Sequence, residues 1–146
     1  TRTMLAAYEP NGVGIPDVVV TDVSFISLTH ILGGASRLVE PNASLLFMLK
    51  PQFEVGRARL PKSGVVTDPQ AWRDALVSVN ECAASVGLAL QALHPSPLPG
   101  QDGNVEFFLL CEKLPAGARD PEGECGMIEE ALAEAEGLRR EAPAGS

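Results

Sequence analysis

The sequence predicts an α/β fold built on a mixed sheet whose last strand is antiparallel. Two observations lead there. Four short apolar runs of strand length alternate with stretches of helical period, and the connections between them differ in kind. A long loop plus a helix separates the second run from the third, which suits a crossover. Only a Pro/Gly-rich loop separates the third from the fourth, which suits an antiparallel pair.

Pro16-Asp17 introduces Val18-Val19-Val20-Thr21, a continuous β-branched run that reads as a strand buried on both faces of a parallel sheet. Ser24 is placed to cap a helix running to about Val39, with Phe25, Ile26, Leu28, Ile31 and Leu32 apolar, Gly33-Gly34 weakening its middle, and Pro41-Asn42 ending it. Ser44 to Leu49 is the second buried strand, stopped at Lys50-Pro51 because proline cannot continue the ladder. The loop from Pro51 to Thr67 is long for a compact domain, and loops of that length are commonly functional or disordered. Asp68 then caps a helix with Pro69 in its first turn, carrying Trp72, Leu76, Val79, Cys82 and Ala83 on one face and ending at Gly87. Leu88 to Leu93 is the third strand, Pro95 to Gly103 a loop, and Val105 to Cys111 the fourth strand.

Composition bounds the function. With 146 residues, 45% hydrophobic and 21% charged, the chain is long enough for a sizeable core, and its longest apolar runs, Leu45 to Leu49 among them, are far short of the roughly 20 residues that span a bilayer. No basic segment precedes an apolar one at the start, so a soluble chain is expected. The net charge of −8 argues, on average, against an anionic partner. The acidity is uneven, however: residues 114–146 hold eight acids and three bases, leaving eleven acids and eight bases for residues 1–113. That division also marks the expected organisation, a folded region over 1–113 and an acidic Gly/Pro/Ala/Glu-rich tail over 114–146, where Met127 to Arg140 forms a frayed, solvated helix or none. Cys82, Cys111 and Cys125 read as reduced thiols of a cytosolic protein, and with only His30 and His94 no metal site is expected.

Ionisable residues recur at one place, the C-terminal ends of the strands. Asp22 follows Val-Val-Val-Thr and Lys50 follows Leu-Leu-Phe-Met-Leu, at the edge where open α/β sheets bind ligands, and Glu106, at the start of an antiparallel fourth strand, comes to the same edge. One lysine between two carboxylates is a candidate site. There is no Gly-x-Gly-x-x-Gly after a strand, no Gly-Lys-Ser/Thr phosphate loop and no Gly-x-Ser-x-Gly; Gly12-Val13-Gly14 is a linker-like turn, and His30 and His94 read as structural.

Four segments carry a resemblance: Asp22-Val23-Ser24-Phe25-Ile26-Ser27-Leu28, Lys50 to Gly56 (KPQFEVG), Gly64 to Pro69 (GVVTDP), and Ser96 to Gly100 (SPLPG) with Gly103 to Phe108 (GNVEFF). In order and chemistry they closely resemble the C-terminal half of the TlyA/hemolysin A family, FtsJ-like ribosomal RNA methyltransferases that move a methyl group from S-adenosylmethionine to a ribose 2′-hydroxyl. The resemblance covers about residues 1–113 and implies half of a Rossmann-like methyltransferase fold. Family members begin with an S4-like RNA-binding domain and a Gly-rich cofactor loop that have no counterpart here, so the chain resembles a fragment. The family's Lys-Asp-Lys-Glu tetrad implies catalytic roles for Asp22, Lys50 and Glu106, its first lysine falling before residue 1, and the motif implies cofactor contacts from Asp22, Ser24 and Phe25.

A ribose hydroxyl is a very weak acid, so methyl transfer to it needs an in-line approach and removal of its proton as the bond forms. A lysine accepts that proton only when neutral, a state favoured by burial and a second cation, while carboxylates orient the amine. Without the family's first lysine, little or no activity is expected of the 146 residues alone. Arg57, Arg59 and Lys62, with Lys50, form the one basic cluster in the sequence and imply contacts to ribosomal RNA phosphates. Phe53 is expected to pack beneath the loop, and Asn104 with the turn from Pro97 to Gly103 to shape the mouth of the site. The rival is a non-catalytic RNA-binding module of the same fold; membrane lysis finds no amphipathic segment to support it. A cytoplasmic location and self-association through an exposed sheet edge complete the expectations.

Overall fold

The computed structural model describes residues 14–115 and 118–141; the Gly12-Val13 part of the early turn and the end of the acidic tail lie outside them. Strands β1 (Val18–Thr21), β2 (Ser44–Leu49), β3 (Leu88–Pro95) and β4 (Phe107–Lys113) form one sheet in the order β1-β2-β4-β3. β1 runs parallel to β2, with Val18 opposite Ser44, and β4 is antiparallel to both β2 and β3. The mixed sheet and its antiparallel last strand are therefore as the connection lengths require. A register shift between Leu90 and Ala92 marks a bulge in β3.

β2 falls where the apolar run places it, but its burial alternates: Leu45, Phe47 and Leu49 are buried while Ser44, Leu46 and Met48 are half-buried. In β1, Val18 and Val20 are exposed. The expectation that both strands are buried on two faces is corrected here. Among the described residues β1 is an edge strand, and the core lies on the face that carries Val19 and Phe47. β3 extends two residues past its expected end, so His94 and Pro95 belong to the strand, and β4 starts two residues later than expected.

The helix expected from Ser24 to Val39 is also corrected. Phe25 has φ 64°, a left-handed conformation that cannot open a right-handed helix. The segment instead forms a 3₁₀ turn, Leu28–His30, capped by the Ser27 hydroxyl accepting from the Thr29 amide, and then α1 (Leu32–Arg37). It ends at Arg37, short of the expected Val39. Helix α2 (Pro69–Ser85) follows the sequence closely: the Asp68 carboxylate caps the Gln70 amide at 2.9 Å, Pro69 opens it, and Trp72, Leu76, Val79 and Ala83 are buried. The buried Trp72 donates its indole N–H to the Val66 carbonyl at 3.0 Å, tying the end of the long loop to this helix.

The largest departure lies in the acidic tail. Residues Pro121–Glu141 form α3, which packs on β3 and α2, burying Ile128, Ala131, Leu132 and Ala135. The solvated or frayed helix is thus overturned: four small and medium apolar residues at helical spacing suffice when the opposing surface is already formed. Glu124, 2% exposed, completes the seal by accepting from Arg119 at 2.8 Å and Asn80 at 3.2 Å. Outside the core face, Arg73 and Glu129 form a two-pronged ion pair between α2 and α3. Because the Leu132 side chain is buried in this contact, Leu132→Ala is expected to lower the unfolding free energy by about 2–5 kcal/mol. Urea denaturation followed by circular dichroism measures it; a change below about 0.5 kcal/mol would return α3 to the solvated reading.

Candidate functional site

The site is built where β1 and β2 end side by side. Their parallel pairing places Asp22 and Lys50, the residues just past Thr21 and Leu49, at the same edge of the sheet. Lys50 Nζ lies 2.7 Å from Asp22 Oδ1 and donates to Ser24 Oγ at 3.1 Å. The lysine side chain is only 13% exposed, the aspartate 61%. Lys50 is therefore a mostly sheltered cation whose partner faces outward, an arrangement that orients the amine without sealing it off.

The antiparallel β4 delivers Glu106. Leu49 pairs with Phe107, so Glu106, one residue before the strand, stands opposite Lys50. Burial, its main perturbation, pushes the Glu106 carboxyl above the ordinary 4.5; the Lys50 charge opposes this and the Asp22 charge adds to it. The backbone beside it is fixed: the Ser96 amide donates to the Glu106 carbonyl at 2.7 Å, and the Gly100 amide to the Asn104 carbonyl at 2.8 Å. Gly100 lies directly against the Glu106 side chain, so closely that any Cβ there would collide with the carboxyl.

Around these three lie the loops. Phe25, held at φ 64° and 86% exposed, stacks at a tilt of 49° with its centroid 5.0 Å from that of Phe53. Phe53 is half-buried, packing on Phe25. The two rings border a groove of about 720 Å³ that Arg57, Gly64 and Asn104 also line. Asn104 is buried; its Oδ1 accepts from the Val66 amide and its Nδ2 donates to the Gly64 carbonyl, both at 2.9 Å, so it joins the long loop to the turn that carries Glu106. The basic residues do not converge. Arg57 borders the groove, Arg59 is held by Asp74 at 2.7 Å on α2, and Lys62 is exposed.

Of the expected cofactor contacts, Asp22 borders a second hollow of about 560 Å³ lined by Val18, Val20, Ile26 and Ile31. One outward carboxylate amid apolar side chains suits a cationic ligand with an apolar body, so Asp22 fits a sulfonium cofactor. Ser24 spends its hydroxyl on Lys50, and Phe25 turns toward Phe53. Sequence reasoning missed two residues. Gly100 shapes the seat of Glu106. Glu54 reaches back from beyond Lys50 to accept from Ser27 Oγ at 2.6 Å and the Leu28 amide at 2.8 Å. Both stood inside the quoted motifs, which was the available signal.

The electrostatics can be checked directly. Carbon-13 titration of the Glu106 carboxyl is expected to give a midpoint above 4.5, moving higher in Lys50→Met, which removes the opposing cation, and lower in Asp22→Asn. Since the folded value exceeds the unfolded one, the contribution of Glu106 to stability is complete below 4.5 and declines as pH rises through the folded value. Gly100→Ala is expected to displace the carboxyl and bring the midpoint back toward that of a solvated glutamate.

Comparison with known proteins identifies the family of the chain. The FtsJ-like methyltransferase family model matches residues 3–113. The chain is 38% identical over 109 residues to the 16S/23S rRNA (cytidine-2′-O)-methyltransferase TlyA of Mycobacterium tuberculosis (strain CDC 1551 / Oshkosh), covering 74% of the chain and 41% of that protein. It is 38% identical over 93 residues to the 23S rRNA (cytidine-2′-O)-methyltransferase TlyA of Campylobacter jejuni, covering 63% of the chain and 36% of that protein. A solved structure described as a hemolysin from Streptococcus thermophilus superposes with a TM-score of 0.80 at 29% identity, over 89% of this chain and 46% of that one. The chain thus spans about two fifths of the length of the curated relatives it matches. Because that family model covers residues 3–113, the chain belongs to the FtsJ-like methyltransferase family.

Proposed function

We propose that these residues supply half of a site for 2′-O-methylation of ribosomal RNA, with Lys50 as proton acceptor, Asp22 and Glu106 as its orienting carboxylates, and S-adenosylmethionine as methyl donor. The observation that carries the reading is the sheltered Lys50 amine held 2.7 Å from Asp22, with Glu106 opposite. A ribose hydroxyl loses its proton only as the new C–O bond forms, so a base must already be aimed at it. Asp22 and the Ser24 hydroxyl fix the direction of the Lys50 amine; the amine accepts the ribose proton after releasing its own to solvent, a neutral form that its shelter and the family's remaining lysine favour, while Glu106 stands across the sheet end.

S-adenosylmethionine supplies an electrophilic methyl carbon, and Asp22 is the residue here whose open carboxylate suits its positive charge. Phe25, Phe53 and Arg57 border the groove on the RNA side, the arginine supplying a phosphate contact. Arg59, committed to Asp74, and the exposed Lys62 contribute only to the general field. The parent protein is read as longer than these residues, with the family's Gly-rich loop and remaining lysine completing the pocket along the edge of β1 that no described strand covers, through which the isolated chain would self-associate. The target nucleoside is read as cytidine by similarity to the two relatives, and the location as cytoplasmic. Among the described residues no helix is long and apolar enough to cross a membrane.

The test is transfer of labelled methyl groups from S-adenosylmethionine to ribosomal RNA, with the product scored by resistance of the modified linkage to alkali. A protein carrying the preceding family segments is expected to be active and to lose about 10²–10⁴-fold on Lys50→Met, whereas the 146 residues alone show little or no transfer. Undiminished transfer by Lys50→Met would overturn the role of the lysine.

A further inference from the structure

The segment that links β1 to the first helical turn carries Asp22, Ser24 and Phe25, yet it is weakly held. Among the described residues, no backbone hydrogen bond outside the helices and strands involves Ser24, Phe25 or Ile26. Phe25 is in a left-handed conformation, which is strained for a non-glycine residue, and its exposed ring touches Phe53. Its backbone is therefore fixed at its ends, the middle being held only through the Val23, Ser24 and Phe25 side chains. One end is β1. The other is Ser27-Leu28, where the 3₁₀ turn begins.

At that second end stands Glu54. It follows the short turn Pro51–Phe53 that begins immediately after Lys50, so its backbone is rigidly related to the lysine: the Phe53 amide donates to the Lys50 carbonyl at 2.9 Å and the Glu54 amide to the Pro51 carbonyl at 3.0 Å. Its carboxylate is the point where the two motif loops are pinned, with Oε2 on Ser27 Oγ and Oε1 on the Leu28 amide. The same Ser27 oxygen accepts from the Thr29 amide, so the pin also sets the cap of the turn. Residues 22, 24, 25 and 27–28 thus meet 50, 53 and 54 in order, and Glu54 closes the series.

We propose that Glu54 is a positioning residue for Lys50, acting through the 22–28 segment: by fixing Ser27 and Leu28 to the turn that follows Lys50, it keeps Asp22 and Ser24 on the lysine amine. This rests on reading Lys50 as the reacting amine. A glutamine at 54 replaces the two bonds to a carboxylate by weaker neutral ones, its carbonyl accepting from the Leu28 amide and its N–H turned to Ser27 Oγ; an alanine makes neither.

The test uses the complete chain and nitrogen NMR of its lysine amines. Lys50, Lys62 and Lys113 are its lysines, and Lys50→Met identifies the Lys50 signal. In the unmodified chain the Lys50 ammonium protons are expected to exchange with water at least tenfold more slowly than those of the exposed Lys62. In Glu54→Ala this protection falls to the Lys62 level, and Glu54→Gln gives an intermediate rate. Ser36→Ala, which removes a hydrogen bond elsewhere in the fold, leaves the rate unchanged. Lys50 protection at the original level in folded Glu54→Ala or Glu54→Gln would overturn the proposal, as would loss of fold in both, since Glu54 would then serve the fold as a whole. Methyl transfer retained by Lys50→Met would instead refute the reading of Lys50, leaving the exchange result as it stands.

Discussion

The contact on which the site depends is the ion pair between Lys50 and Asp22. Taken as stability it is minor, because Asp22 is mostly exposed and such pairs contribute little after solvent screening. Its importance is directional. A lysine on a four-carbon stem has many orientations, and a fixed carboxylate at 2.7 Å with a hydroxyl at 3.1 Å reduces them to few. Everything else near the sheet end, from the parallel β1–β2 register to the pin at Glu54, keeps these three groups in place.

The sheet topology makes that contact possible. Two parallel strands finish at the same edge, so the residues following them are neighbours although 28 positions separate Asp22 from Lys50. Inserting β4 antiparallel between β2 and β3 brings the beginning of a strand, and with it Glu106, to that same edge. Glu106 is then enclosed by Gly100 on one side and by the Asn104-braced loop on the other. Burial pushes its carboxyl up, so the triad pairs one open carboxylate with one that holds its proton more tightly.

Away from the site, the core is closed by a helix of modest apolar content. α3 seals β3 with Ile128, Ala131, Leu132 and Ala135, and Glu124 is buried there only because Arg119, Asn80 and the Leu90 amide receive its charge. A buried carboxylate with such partners is weak evidence for added stability, but removing a partner is costly, which makes the contact specific. Beneath it, burial pushes the Cys111 thiol up to about 12, so this cysteine behaves as an apolar core residue.

Much of this was legible from residue order. The run from Ser44 to Leu49, the Asp68-Pro69 helix start and the charged residues after each apolar run specify local structure through propensity, capping and chain direction, all short-range effects. So does the family, because its motifs are contiguous. What tertiary structure alone decided depends on surfaces that are distant in sequence. The helix expected at Ser24 gave way to a strained Phe25 held by Phe53 and to a cap at Ser27 held by Glu54. The acidic tail became a packed helix because β3 and α2 presented an apolar face to its few apolar side chains. Arg59 left the expected basic cluster because Asp74 on α2 holds its guanidinium at 2.7 Å. Local sequence sets which conformations are inexpensive, and burial against a partner surface, which no single segment contains, selects among them.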